Sequence, residues 1–336
     1  MRDLNLIAPW VRRFLVEYLV IERNLSLNTQ KSYRDTLSLL LPFIAKREKV
    51  AIDKLQIEHL STESVREFFQ NLRNERNCST RTCNQRLACI HGLAQFIAWK
   101  SPENVSWAGQ VRAIPFKNTT KTVIPYLEKS EINAIIDSPD TKTRQGIRDH
   151  AVLLFLYNTG ARASEVVDLT VGDLDLKYSK SVKILGKGNK LRHCPLWKHT
   201  IATLEIIVLG RSPKEKLFLN RRGHSLTRFG IYILVEKYWG LAKLNCPSLA
   251  EKNVSPHVIR HTTAVHLLRS GVDINTIRAW LGHVSLDTTN IYAEVDLEMK
   301  SKALALCRVN GSDKDLKRRR SCWKEKPGLM NYLRSL

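Results

Sequence analysis

Ser255-Pro256-His257-Val258-Ile259-Arg260-His261 opens a stretch that continues through Leu281-Gly282-His283 to Tyr292, and its punctuation decides how this part of the chain folds. Serine followed by proline marks a helix start. The hydroxyl accepts an orphan backbone N–H, and proline at the first helical position gives up a donor that has no partner there. His257 and Arg260 are three residues apart and share one face of that first turn. Gly271 ends the helix, Asp273 caps a shorter one that stops at Leu281-Gly282, and Ser285-Leu286-Asp287-Thr288-Thr289 caps another that carries Tyr292. His283 thus stands at a helix junction.

Upstream, Thr159-Gly160-Ala161-Arg162-Ala163-Ser164-Glu165 breaks a strongly apolar helix over Arg148–Thr159 and places Arg162 at the start of the next. A helical pattern begins near Glu128, with Leu127, Ile132, Ile135 and Ile136 at helical spacing. Over Leu174–Leu196 the period changes: Val182, Ile184 and Leu191 flank Gly186-Lys187-Gly188-Asn189-Lys190, which reads as a β-hairpin with a glycine-rich turn. Helical pattern resumes from Leu226.

The first ~115 residues read as a compact bundle of four short helices without strands. Their apolar sets are Trp10 to Leu19, Tyr33 to Ile44, Val65 to Leu72 and Cys83 to Ile97. Polar, basic stretches precede the second and fourth helices, Asn24 to Lys31 and Ser79 to Arg86. Hydroxyls, amides and guanidiniums at helix starts suit phosphate contacts, and Thr29, Lys31, Arg81 and Arg86 are the candidates; ordinary helix caps on a solvated face are the plainer alternative. Residues 113–125 hold two prolines and no helical period, so they read as a linker whose Lys117 and Lys121 could follow a DNA backbone. The expected organisation is an N-terminal helical domain over 1–112, a linker over 113–125, a second domain over 126–310 and a basic tail over 311–336. That tail contains Lys317-Arg318-Arg319-Arg320 with Trp323 and Tyr332, and reads as a solvated tail, an extra DNA contact or a helix for a neighbouring subunit.

The chain has 336 residues, of which 43% are hydrophobic, so a sizeable core is within reach. Its formal net charge is +22, and the excess is spread: +6 over 1–116, +11 over 117–310 and +5 over 311–336. Positive charge across both main regions suits a protein that wraps a polyanion, nucleic acid first and an anionic membrane second. No apolar run reaches the ~18–20 residues that cross a bilayer, and residues 1–10 do not resemble a secretory signal, so the expected place is the cytoplasm, with the nucleoid. Seven cysteines, scattered and without a C-x-x-C pair, argue against a disulfide framework or a zinc ribbon. The P-loop, the dinucleotide glycine fingerprint, the H-E-x-x-H zinc motif and the G-x-S-x-G elbow are absent, so neither a metal nor a cofactor is expected.

Read singly, each candidate has an ordinary explanation: a surface arginine, a packed histidine, solvated turn lysines, a core tyrosine. As an ordered set, Arg162, Lys187, His257-x-x-Arg260, His283 and Tyr292 resemble the tyrosine recombinases of the lambda-integrase and Xer-like kind. Thr159 to Glu165, His257 to Leu268 and Leu281 to Tyr292 stand where that family's boxes fall, and Asn28-Thr29-x-x-x-Tyr33 and Ser79-Thr80-x-x-x-Asn84 are similar to its core-binding domain. The resemblance covers roughly residues 8–306. It implies a mainly α protein with a small β-sheet: an N-terminal helical, SAM-like core-binding bundle and an α+β DNA breaking-rejoining domain, the two clamping a duplex.

The chemistry of the set is coherent. Attack on a phosphodiester builds negative charge on the non-bridging oxygens, which two guanidiniums, Arg162 and Arg260, can hold. A tyrosine with pKa near ~10 needs a base at neutral pH, and His257 is the candidate. The leaving 5′ oxygen needs a proton; the resemblance assigns that to Lys187, with Lys190 of the same turn as the alternative, and gives His283 a place in hydrogen bonding around the phosphate. It also implies a 3′-phosphotyrosine on Tyr292, four protomers on two specific double-stranded DNA sites, and a mobile element rather than chromosome upkeep, with room for a related recombinase or an accessory protein. A type IB topoisomerase-like relaxing enzyme and a DNA-binding relative with a decayed site are the rivals.

Overall fold

The computed structural model describes residues 5–119, 125–186 and 188–282. Lys121, Lys187, His283, Tyr292 and the basic tail lie outside the described residues. The chain divides into two compact units, residues 1–122 and 123–336.

In the first unit the elements are α1 (Ile7–Arg13), running on as a π-helical segment over Phe14–Glu22, then α2 (Leu27–Glu48), α3 (Thr62–Asn74), α4 (Thr80–Lys100) and α5 (Val105–Arg112). Ser26, Ser61 and Ser79 each cap a helix by accepting the backbone N–H three residues on. Phe14 lies 5.8 Å from Tyr33 and 5.7 Å from Phe96, and Tyr18 5.1 Å from Phe96, so aromatic rings fill the core. Two helices are longer than expected: α2 has 22 residues and α4 has 21. The periodicity of α5 was too short to stand out; Ala108 and Val111 bury it, and Trp107 Nε1 donates to the Leu60 carbonyl at 2.9 Å. The beginning of the proline-bearing stretch also packs here, because Ile114 is buried in this core.

The second unit holds α6 (Lys129–Ile136), α7 (Arg144–Thr159), α8 (Ala163–Asp168), strands β1 (Leu174–Asp175), β2 (Ser181–Leu185) and β3 (Leu191–Pro195), then α9 (Lys198–Val208), α10 (Arg228–Ala242), α11 (Pro256–Arg269) and α12 (Ile274–Leu281). Residues 149–159 of α7 are buried all round: the apolar run 151–156 packs in the core, and Asp149, His150, Asn158 and Thr159 at its two ends are hydrogen-bonded, so α7 is the central rod of this unit. The strands form an antiparallel sheet in the order β1-β2-β3, with Ile184 opposite Arg192. Its hairpin buries Val182, Ile184, Arg192 and Cys194 on one face while Lys183, Leu185 and His193 face out. The short β1 and helix α9 were not legible from the period; α9 buries one narrow stripe, Thr200, Ile201, Thr203 and Leu204. The fold is the mainly helical, small-sheet architecture the sequence implies.

Candidate active site

The site is assembled from the ends of helices. At the C-terminus of α7, Gly160 adopts φ +58°, and a Cβ there would stand 2.4 Å from Leu281 Cδ2, so only glycine fits this turn. The turn delivers Arg162 as the residue preceding α8. Its backbone N–H donates to Glu165 Oε2 at 2.8 Å, and its Nη1 donates to Glu165 Oε1 at 2.7 Å. Glu165 also accepts from Arg192 Nη2 at 2.7 Å. Burial pushes the Glu165 carboxyl up, but the hydrogen bond and charge of Arg192 and the two donors of Arg162 outweigh it and hold it below the ordinary carboxylate range.

Arg260 comes from the first half of α11, which starts at Ser255 and Pro256 as the sequence suggests; Ser255 Oγ accepts the Val258 N–H. Its side chain is almost wholly buried, at 2% exposure. Nη1 donates to the Gly160 carbonyl and Nη2 to the Leu281 carbonyl, both at 2.6 Å. Two carbonyls from two helix ends therefore aim one guanidinium. Thr263 Oγ1 donates to the Tyr157 carbonyl at 2.7 Å and locks α11 against α7. His257, exposed on the first turn, Arg162 and Arg260 all line one open cleft of about 570 Å³.

Three further side chains line the same cleft: Arg228, Phe229 and Tyr232 from the start of α10. They were missed, although Thr227-Arg228 repeats the cap-then-arginine signal of Ser79 and Arg81; Thr227 Oγ1 does accept the Gly230 N–H at 2.9 Å. The hairpin turn over 186–190 closes with Gly186 N–H donating to the Lys190 carbonyl at 2.8 Å, and Gly188 and Asn189 take φ +76° and +60°. Lys190 is exposed and lines a different hollow, with Arg192, Asn275 and Arg278. Among the described residues, no group of three or more His, Cys, Asp or Glu could hold a metal ion, and no helix is long and apolar enough to cross a membrane.

In the first unit, the starts of α2 and α4 lie side by side: Gln85 Nε2 donates to Ser32 Oγ at 2.9 Å. Asn84 grips the chain at Lys117, donating to its carbonyl at 2.7 Å and accepting its N–H at 3.0 Å. Thr29 and Lys31 on α2 and Arg81 and Arg86 on α4 are thereby brought to one end of the bundle, with Lys117 alongside. Lys31, Arg81 and Lys117 are exposed; Arg86 is half-buried, and its Nη1 is enclosed without an acceptor.

Comparison with known proteins agrees with this architecture. Residues 125–299 match the phage integrase family, and residues 11–101 match the phage integrase N-terminal SAM-like domain. A Sinorhizobium fredii protein assigned as an integrase/recombinase, y4rC, is 36% identical over 301 residues, spanning 89% of this chain and 91% of that protein. Tyrosine recombinase XerC of Oceanobacillus iheyensis is 32% identical over 294 residues, 83% of this chain and 90% of its own. The integrase of transposon Tn1549, solved in complex with circular intermediate DNA, shares the fold with a TM-score of 0.67 at 15% identity, covering 88% of this chain and 98% of that one. The chain belongs to the phage integrase family and is a site-specific tyrosine recombinase, an enzyme that cuts and rejoins DNA strands.

Proposed function

We propose that the cleft of Arg162, His257 and Arg260 is the phosphoryl-transfer site and that Tyr292 is its nucleophile. The observation that carries this is the convergence in one cleft of two arginines and a histidine from separate stretches of chain, with Arg260 held at 2.6 Å by each of two carbonyls. Tyr292 Oη attacks the phosphorus; the Oη–P bond forms and the bond to the 5′ oxygen breaks. His257 takes the tyrosine proton, and Lys187 gives a proton to the departing 5′ oxygen. Arg162 and Arg260 neutralise the charge that develops on the non-bridging oxygens, and His283 hydrogen-bonds the same phosphate. The product keeps the phosphodiester energy as a 3′-phosphotyrosine, so attack by a 5′ hydroxyl in reverse rejoins the strand without ATP. Lys187, between the two glycines of the turn, is the acid in this reading, with Lys190 as its alternative.

DNA is held by phosphate contacts from Thr29, Lys31, Arg81, Arg86, Lys117 and Lys121 in the N-terminal part and from Arg228 beside the cleft, where Phe229 and Tyr232 offer apolar contact to bases. The domain limits implied by this division are 1–112, 113–125, 126–310 and 311–336. The working assembly is four protomers on two sites, and the biological setting is integration, excision or transposition of a mobile element in the cytoplasm, on the chromosome. A relative assigned as an integrase/recombinase supports that setting.

A trapping assay tests the chemistry. The protein is incubated with nicked DNA taken from the regions flanking its own gene, then denatured. The expected result is a denaturant-resistant adduct that Tyr292→Phe abolishes. Tight, salt-sensitive binding without an adduct would instead identify a binding-only protein. Relaxation of supercoiled plasmid without recombinant product would identify a topoisomerase-like enzyme.

A further inference from the structure

Behind the cleft lies a buried arginine that the strand-transfer chemistry does not use. Arg192 is 8% exposed and sits on β3, where alternation turns it, with Cys194, to the buried face of the hairpin. Its Nη2 holds Glu165 Oε2 at 2.7 Å, and Glu165 in turn holds both the backbone and the guanidinium of Arg162. The other end of the guanidinium lies against backbone. A Cβ built on Gly186 would be 3.3 Å from Arg192 Nη1, and one built on Gly282 would be 3.1 Å from the same atom. One side chain therefore touches three segments at once: the Arg162 turn through Glu165, the first residue of the hairpin turn, and the residue that precedes His283.

The chemistry of this placement is costly for a merely structural residue. Nε and Nη1 of Arg192 are buried and meet no acceptor among the described residues, so the guanidinium is only partly satisfied. A buried ion pair can often be replaced, both partners together, by apolar residues with no loss of stability, so folding alone does not call for this one. Its location between segments that carry reacting groups supplies a reason for it to be there. The substitution of Gly186 or Gly282 by any larger residue would press on the same Nη1, which shows how closely the three backbones are gathered around it.

We propose that Arg192 is a positioning residue for strand transfer: through Glu165 it sets Arg162, and through its packing on Gly186 it sets the hairpin turn that brings the leaving-group acid to the 5′ oxygen. This rests on the phosphoryl-transfer reading given above. A misplacement of about 1 Å in such a group slows chemistry about 10²-fold without removing substrate binding.

The test uses the full-length protein and nicked DNA, with two versions of the scissile phosphate: the natural one, and one in which sulfur replaces the bridging 5′ oxygen. In the sulfur substrate the Oη–P bond forms and the P–S bond breaks to release a thiolate, which leaves without being protonated. For Arg192→Met we expect a lower melting temperature, because buried Glu165 loses one of its two guanidinium partners, with DNA binding within about threefold and single-turnover adduct formation about 10²-fold slower on the natural substrate. The sulfur substrate should recover at least about tenfold of that loss. A destabilised fold alone would slow both substrates equally. Adduct formation within about threefold of wild type, or a loss the sulfur substrate leaves unchanged, overturns the proposal. Should Arg192→Met unfold, Arg192→Lys, which keeps a charge opposite Glu165 but not the planar fork, carries the same comparison. Wild-type protein that forms no adduct on either substrate would refute the phosphoryl-transfer reading itself, which separates the two failures.

Discussion

Arg260 shows how much one residue depends on its surroundings. Its two terminal nitrogens each meet a backbone carbonyl, Gly160 on one side and Leu281 on the other. A lysine has no planar fork and can serve only one of them. Arg260→Lys should therefore leave one buried carbonyl unpaired, costing about 1–3 kcal/mol of stability. It should also slow adduct formation by at least about 10²-fold, because one aimed donor to the phosphate is lost. Thermal melting and single-turnover cleavage read the two effects separately; wild-type cleavage by Arg260→Lys would remove Arg260 from the site. At this scale the sequence was informative about residue type and spacing. His257-x-x-Arg260 after a serine cap and a proline was legible because a cap and a first turn are local. That Arg260 turns inward to two carbonyls while His257 stays exposed was not legible, since both carbonyls belong to other helices. Glu165 was visible as part of a motif, but its three donors were not, one of them being 27 residues away on β3.

At the scale of elements, α7 and α11 are joined by a second polar contact besides the Thr263 bond to the Tyr157 carbonyl. The Tyr157 hydroxyl and His266 Nδ1 share a 2.7 Å hydrogen bond, with Lys129 and Glu128 from the start of α6 and Arg269 from α11 nearby. Burial, then the charges of Lys129 and Arg269, lower the His266 pKa below the ordinary histidine value despite Glu128 and a backbone bond at Leu127. The unfolded chain therefore binds a proton that the folded protein refuses. Stability is therefore complete above about pH 6.5 and falls as pH drops through that value, by at most about 1.4 kcal/mol per pH unit, until the folded pKa is passed. Melting curves between pH 5 and 8 should show this loss, and His266→Gln should flatten it; an unchanged slope in the variant would assign the effect to other groups. Element by element, helix starts marked by serine or threonine, the apolar α7 and the Gly186 to Lys190 hairpin were legible, because each signal is contained within a few residues. The short α5 and α9 were not. Each buries only a narrow stripe, too few apolar positions to define a period, and these helices owe their place to what they pack on.

For the whole molecule, charge is the property that acts at long range. A net +22, distributed over both main regions, gives a chain that neutralises phosphates at many points. If six phosphates are contacted, affinity for DNA should fall about 10³-fold between 50 and 200 mM salt. Binding titrations over that range measure the slope, and a slope near zero would contradict the phosphate-contact surfaces assigned to α2, α4 and α10. Composition also excluded much from the outset, since charge and motif content are sums over the chain and need no fold. What the sequence by itself determined is therefore local or additive: the caps, the hairpin, the apolar rod, the basic excess and the ordered set of residues that marks a tyrosine recombinase. Only the tertiary structure decided which side chains meet. Arg228 reaches the cleft of Arg162 and His257, Lys190 lines a second hollow with Arg192 and Arg278, and Arg192 gathers Glu165, Gly186 and Gly282 around one guanidinium. The physical reason is range. A helix start depends on groups within one turn, whereas these meetings join residues tens of positions apart and exist only once the core of α7 has drawn its neighbours together.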